Sequence, residues 1–130
     1  MRTELEQVSE ELNALQGLLQ GTVNRLWSLK LSLNSAYHHG LDEKDFLPRR
    51  LHSLRHEEQR KLDTLLRRLN QVLSGYLGSP ILVLDPGEDL DTLLNIHRTI
   101  RYLRNAYSSE APLLQALAKI SRALPAGSSH

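Results

Sequence analysis

The sequence predicts an all-α protein, a helical bundle built on a long antiparallel helical hairpin. Three observations carry that prediction. Leu is by far the commonest residue, while Val and Ile are few and aromatics make up 5%, so strands would lack their usual β-branched and aromatic filling. Apolar residues recur at alternating steps of three and four through Leu5, Val8, Leu12, Leu15, Leu19, Leu26, Leu29 and Leu33, with only Thr22 interrupting the series. That spacing is the a/d seam of packed helices. Gly and Pro then punctuate the chain at Gly40, Pro48, Gly78, Pro80, Pro112 and Pro125, which cuts it into segments of helical length.

The first helix is expected over residues 3–37. Thr3 is a suitable N-cap with Glu4 and Glu6 in the turn after it, and His38, His39 and Gly40 stop it. At 1.5 Å per residue it would span roughly 50 Å, longer than one compact domain of this size needs. Leu18, Val23, Trp27, Leu31 and Ala36 widen its apolar face toward the middle and C-terminal half. Gly17 and Gly21, four apart, have two readings. They either let another backbone approach closely or each cost about 1 kcal/mol of helix propensity.

Residues 41–47 read as a connector, and Pro48 suits the first position of a second helix over residues 48–77. Leu47, Leu51 and Leu54, then Leu62, Leu65, Leu69, Val72 and Tyr76, keep the three-and-four spacing, with Leu66, Leu73 and Leu77 beside it. Residues 55–59 break the pattern and shift its register by one. One continuous helix is expected, with a separate first element as the alternative. The short connection favours an antiparallel pairing of the two long helices.

Gly75, Gly78 and Pro80 end the second helix, and the apolar run of residues 81–84 reads as an extended linker. Asp85 as N-cap, Pro86 at the first helical position and Glu88 at the third start a helix over residues 86–107, with Leu90, Leu93, Ile96, Ile100, Leu103 and Tyr107 on one face. Leu113, Leu117, Ile120 and Leu124 give a fourth helix over residues 111–124 its core face. Residues 1–125 are expected to form a single domain, and residues 126–130 a disordered tail. Two helices of about 20 residues can cover only part of two of about 30, which should leave some of the long seam bare.

Composition narrows the chemistry. Without Cys there are no disulfides, thiolate metal sites or Cys nucleophiles. Glu4, Glu6, Glu10 and Glu11 stand where a secretory signal needs a positive start, and no apolar run approaches the roughly 20 residues that cross a bilayer. A soluble, cytoplasmic protein without membrane contact is expected. Net charge is +1, so affinity for a polyanion would have to come from a local patch. Between Lys44 and Gly78 lie eight Lys or Arg and four acids, including Arg60, Arg67 and Arg68, and Arg98, Arg101 and Arg104 form a second stripe. Together the stripes could bind phosphates, but i,i+4 pairs such as Glu57 with Lys61 and Asp63 with Arg67 favour a solvated outer face.

His52 and His56 have the i,i+4 spacing at which two imidazoles share a metal, yet a site needs further ligands, and two polar residues on a solvated face are the simpler reading. His97 borders the apolar face of the third helix as a packed, hydrogen-bonded histidine. No nucleophile elbow, phosphate-binding loop, dinucleotide fingerprint or H-E-x-x-H occurs in the sequence. Arg50 and His56, separated by five residues, resemble over seven residues the R-x(4-6)-H element of HEPN-type helical ribonucleases. Arg104 and Asn105 are similar to the Arg-Asn that often opens that element, without a His at Ser109 or nearby.

These features together lead to an expected function without catalysis, metal or cofactor. The chain reads as a protein–protein interaction module, a small helical subunit, adaptor or chaperone. Its seam (Leu5, Val8, Leu12, Leu15, Leu19, Leu26, Leu29, Leu33) would be buried in a homodimer or higher oligomer, or against another helical protein. The alternatives are a HEPN-like ribonuclease using Arg50 and His56, and a nucleic-acid binder using the basic stripes.

Overall fold

The computed structural model describes residues 3–78 and 89–124, and among them every regular element is a helix. In chain order they are α1 (Glu4–His38), α2 (Phe46–Leu77), α3 (Asp89–Ala106) and α4 (Ala111–Ala123). The expectations for the linker of residues 81–84, for a helix start at Asp85, Pro86 and Glu88, and for a tail over residues 126–130 lie outside the described residues.

Local chemistry sets the helix ends. Thr3 caps α1 as expected, its Oγ1 accepting from the Glu6 N–H at 3.1 Å. At the other end Gly40 adopts φ +89°, which lets the Leu41 N–H reach the Ala36 carbonyl at 3.1 Å and the Gly40 N–H reach the Tyr37 carbonyl at 3.0 Å. That Schellman arrangement satisfies terminal carbonyls and folds Leu41 back onto the helix it leaves.

The helix α2 begins two residues earlier than the sequence predicts, so Pro48 takes its third position and not its first. The shift is tolerated because the first four N–H groups of a helix have no intrahelical acceptor in any case. The Asp45 carboxylate accepts from the Asp42 N–H at 2.7 Å, which closes the connector into a tight turn ahead of α2. From there α2 is one uninterrupted helix through residues 55–59, ending on Gly78 at φ +81° with its N–H on the Ser74 carbonyl.

Side-chain pairs fix how the helices lie. Glu11 with Arg68, Arg25 with Glu58 and Tyr37 with His52 step forward along α1 and backward along α2, so the two form the antiparallel hairpin. Tyr76 near the end of α2 donates to the carboxylate of Glu110, the residue that precedes α4. The helix α4 therefore starts beside the beginning of α1 and runs parallel to it. His97 Nδ1 and Ser121 Oγ, 3.2 Å apart, tie α3 antiparallel to α4, and His97 is thus the packed, hydrogen-bonded histidine expected.

The core lies where the short hairpin covers the long one. Leu12 and Leu19 of α1, Leu62, Leu66, Leu69 and Leu73 of α2, Ile96 and Ile100 of α3, and Leu113, Leu117 and Ile120 of α4 are all buried in one cluster. With 18 and 13 residues, α3 and α4 cannot follow α1 and α2 along their 35 and 32. Beyond about Val23 the hairpin continues as a two-helix arm, closed at its tip by residues 39–45.

A candidate protein-interaction surface on the hairpin

Two rows of residues run along the side of the hairpin that no described helix covers. On α1 the row is Leu18, Thr22, Arg25, Leu29, Ser32, Ala36 and His39; on α2 it is Leu47, Leu51, Leu54, Glu58, Lys61 and Leu65. Both advance by threes and fours, so each stays on one side of its helix for its whole length. Two open grooves lie between them. The first, at the root of the arm, is lined by Leu18, Thr22, Arg25, Arg60, Lys61, Thr64 and Leu65. The second, of about 530 Å³ near the tip, is lined by Leu31, Ser32, Ser35, Ala36, His39, Leu41, Leu47 and Leu51.

Large apolar side chains stand in water here. Leu18 is 58% exposed at the root, and on the arm Leu31 is 52%, Phe46 75% and Leu47 48% exposed; Trp27, 57% exposed, is two positions from both Arg25 and Leu29 and so stands on the opposite side of α1. Scattered exposed apolar residues are ordinary, but a group gathered on one arm, with grooves beside it, is what an interaction surface presents. Lys30 sits 5.3 Å above the Trp27 ring, partly masking it by a cation–π contact.

A polar layer interrupts the seam at the root of the arm. Thr22, the break in the leucine series of α1, is buried, and its Oγ1 accepts from the Arg25 guanidinium at 3.2 Å. Opposite it Glu58 is only 8% exposed. Arg25 Nε lies 3.0 Å from its Oε2 and Lys61 Nζ 3.1 Å from its Oε1. Burial pushes the Glu58 carboxyl up, yet the close ion pair with Arg25 and the hydrogen bond and charge of Lys61 outweigh it and hold the group below the usual 4.5. The sequence reading missed this layer. Its signal was present, since the register break at residues 55–59 is the slot that Glu58 fills.

The expected interface residues divide by position. Leu12, Leu15 and Leu19 are buried inside the chain, covered by its own shorter helices, with Leu5 and Val8 packed partly buried against the same cluster. Those five are therefore occupied within one chain. Leu26, at the root of the arm, also packs half-buried against that cluster, whereas further along the arm Leu33 is buried and Leu29 half-buried. Among the described residues Gly17 has nothing within 4 Å of an added Cβ and Gly21 meets only the flexible end of Arg25, so no described backbone from another helix approaches either glycine.

The basic stripes do not converge on one contact in the described residues. Arg68 pairs with Glu11 and donates to Gln71, Arg60 lines the root groove and Arg67 is exposed. Arg98, Arg101 and Arg104 are exposed on α3, whose closest backbone neighbour is α4.

His52 is held by the Tyr37 hydroxyl, 2.8 Å from its Nε2, and among the described residues no three His, Asp or Glu come together as metal ligands. Arg50 and His56 are both exposed on the one continuous α2. Six positions on an α-helix rotate two side chains about 120° apart, on different faces.

Fold and surface together define a class: an all-α bundle whose long hairpin outruns its cover and carries an apolar arm. No family model, no curated protein and no solved structure matches the chain. Among the described residues, no helix is long and apolar enough to cross a membrane.

Proposed function

We propose that the chain is a non-catalytic protein–protein interaction module, of the kind that serves as a helical subunit, adaptor or chaperone, and that it binds through the arm of its long hairpin. The observation that carries this reading is the length mismatch. The helices α1 and α2 outrun α3 and α4, with Leu31, Phe46 and Leu47 exposed on the part that no described helix covers. Burying such side chains contributes about 1.5–3 kcal/mol each, and a helical hairpin is the shape that already completes the other half of the bundle.

The reading replaces one detail of the sequence expectation. Leu12, Leu15 and Leu19 fold the chain, and binding falls to the arm. The test is a comparison of Leu31→Asp and Leu47→Asp with wild type. Both variants should keep wild-type helicity and melting temperature and lose association, read as solution mass for self-association or as co-purification for a partner. Unfolding of the pair, or association unchanged in both, would overturn it.

A further inference from the structure

The uncovered side of the hairpin is complementary to itself. The tip carries Asp42, Glu43 and Asp45 against one cation, Lys44, and all four are exposed. Immediately after them Phe46 is the most exposed large apolar side chain on the described residues. The root groove offers the reverse, with a smaller excess: Arg25, Arg60 and Lys61 against the carboxylates of Glu57 and Glu58, beside the exposed Leu18. Acid with an aromatic knob at one end of the arm is therefore matched by base with an apolar ledge at the other.

The spacing suits a two-fold pairing. Tip and root lie about 20 residues apart along α1, roughly 30 Å. Midway between them α1 presents Ser28, Ser32 and Ser35, whose short side chains let a neighbouring helix come close. A second copy laid antiparallel across this point would set each tip on the other's root and bring the two apolar tip grooves toward the axis. Such an interface is isologous and closes on itself, as a two-fold dimer requires. Each arm supplies two helices of about 16 residues, close in length to the α3–α4 hairpin that covers the other half of the bundle.

We infer that this chain forms an antiparallel homodimer in which the acidic tip and Phe46 of each copy dock in the Arg25–Arg60–Lys61 groove of the other. This rests on the proposed interaction function and names its partner as a second copy. Charge complementarity of this kind sets register and excludes other pairings.

The test uses the full chain and two charge-reversed variants. One is Asp42→Lys with Glu43→Lys at the tip; the other is Arg60→Glu with Lys61→Glu at the root. Sedimentation across about 1–100 µM should give wild type twice the 14.8 kDa of one chain. Each variant alone should dissociate at least about tenfold more readily, because like charges then face each other at both contacts. An equal mixture of the two should recover the wild-type mass, since every tip then meets a root of opposite sign. Phe46→Ala, which leaves all charges in place, should weaken the dimer while circular dichroism stays that of wild type. A wild-type chain monomeric at the highest concentration overturns the inference, as does a mixture that fails to re-associate. A dimer indifferent to all of these changes but lost in Leu31→Asp and Leu47→Asp overturns tip-to-root docking and leaves the arm as the binding surface.

Discussion

Arg25 Nε lies 3.0 Å from Glu58 Oε2 across the long hairpin, at the one level where the leucine seam of α1 and that of α2 are both interrupted. The pair holds the register of the two helices where apolar packing is absent, much as a polar residue at a core position fixes the alignment of a coiled coil. Removing Arg25 would leave an enclosed carboxylate short of a partner. Arg25→Ala is expected to cost about 1–3 kcal/mol in urea unfolding.

The same carboxylate gives the fold an acid-sensitive contribution. Its folded value is lowered from 4.5, so the unfolded chain takes up the proton first and the Glu58 contribution is fully present above that value. It is lost as pH falls through the lowered folded value. Stability measured from neutral to acid pH should therefore decline less steeply in Glu58→Gln than in wild type. Parallel curves would show that the carboxylate is not held by its partners.

At the covered end of the hairpin the Tyr76 hydroxyl donates to the Glu110 carboxylate, and that hydrogen bond, with burial adding to it, raises the phenol to about 12. Because the folded value lies above the ordinary 10.0, this contribution is complete below that value and is lost as pH rises through about 12. An ultraviolet titration of the phenols should show one late component, absent in Tyr76→Phe. The substitution should also cost about 1 kcal/mol, since it unties the start of α4 from the end of α2.

Core and arm leucines should respond oppositely to truncation. Leu19 is fully buried in the core cluster, and Leu19→Ala is expected to lose about 2–5 kcal/mol by the cavity it leaves. Leu31 is half in water, and Leu31→Ala should stay within about 0.5 kcal/mol in thermal unfolding.

Two glycines three residues apart make a backbone test. Gly75 is helical with open space around an added Cβ, so Gly75→Ala should stabilise by about 0.5–1 kcal/mol. Gly78 closes α2 at φ +81°, where an L side chain is strained, and Gly78→Ala should destabilise by a similar amount. Chemical denaturation of both variants reads the two signs directly.

How much of this was legible in the sequence follows from how far each feature depends on local pattern. Helical class, the four described helices and the start of α1 at Thr3 were readable, because three-and-four spacing and caps act within a few residues. Pro48 misplaced the start of α2 by two residues, since the first turn accepts a proline at more than one position. The length mismatch was readable too, being arithmetic on helical rise. Tertiary structure alone decided which leucines are spent within the chain. A seam pattern says that Leu12 and Leu29 both face a partner, but not that the first is enclosed in the core cluster while the second stays partly exposed. It also decided the meaning of Glu58, which in sequence is one charge in a basic helix. Only the packing of α1 against α2 brings Arg25 from more than thirty residues away to neutralise it, and that contact depends on three-dimensional proximity, which no local spacing encodes.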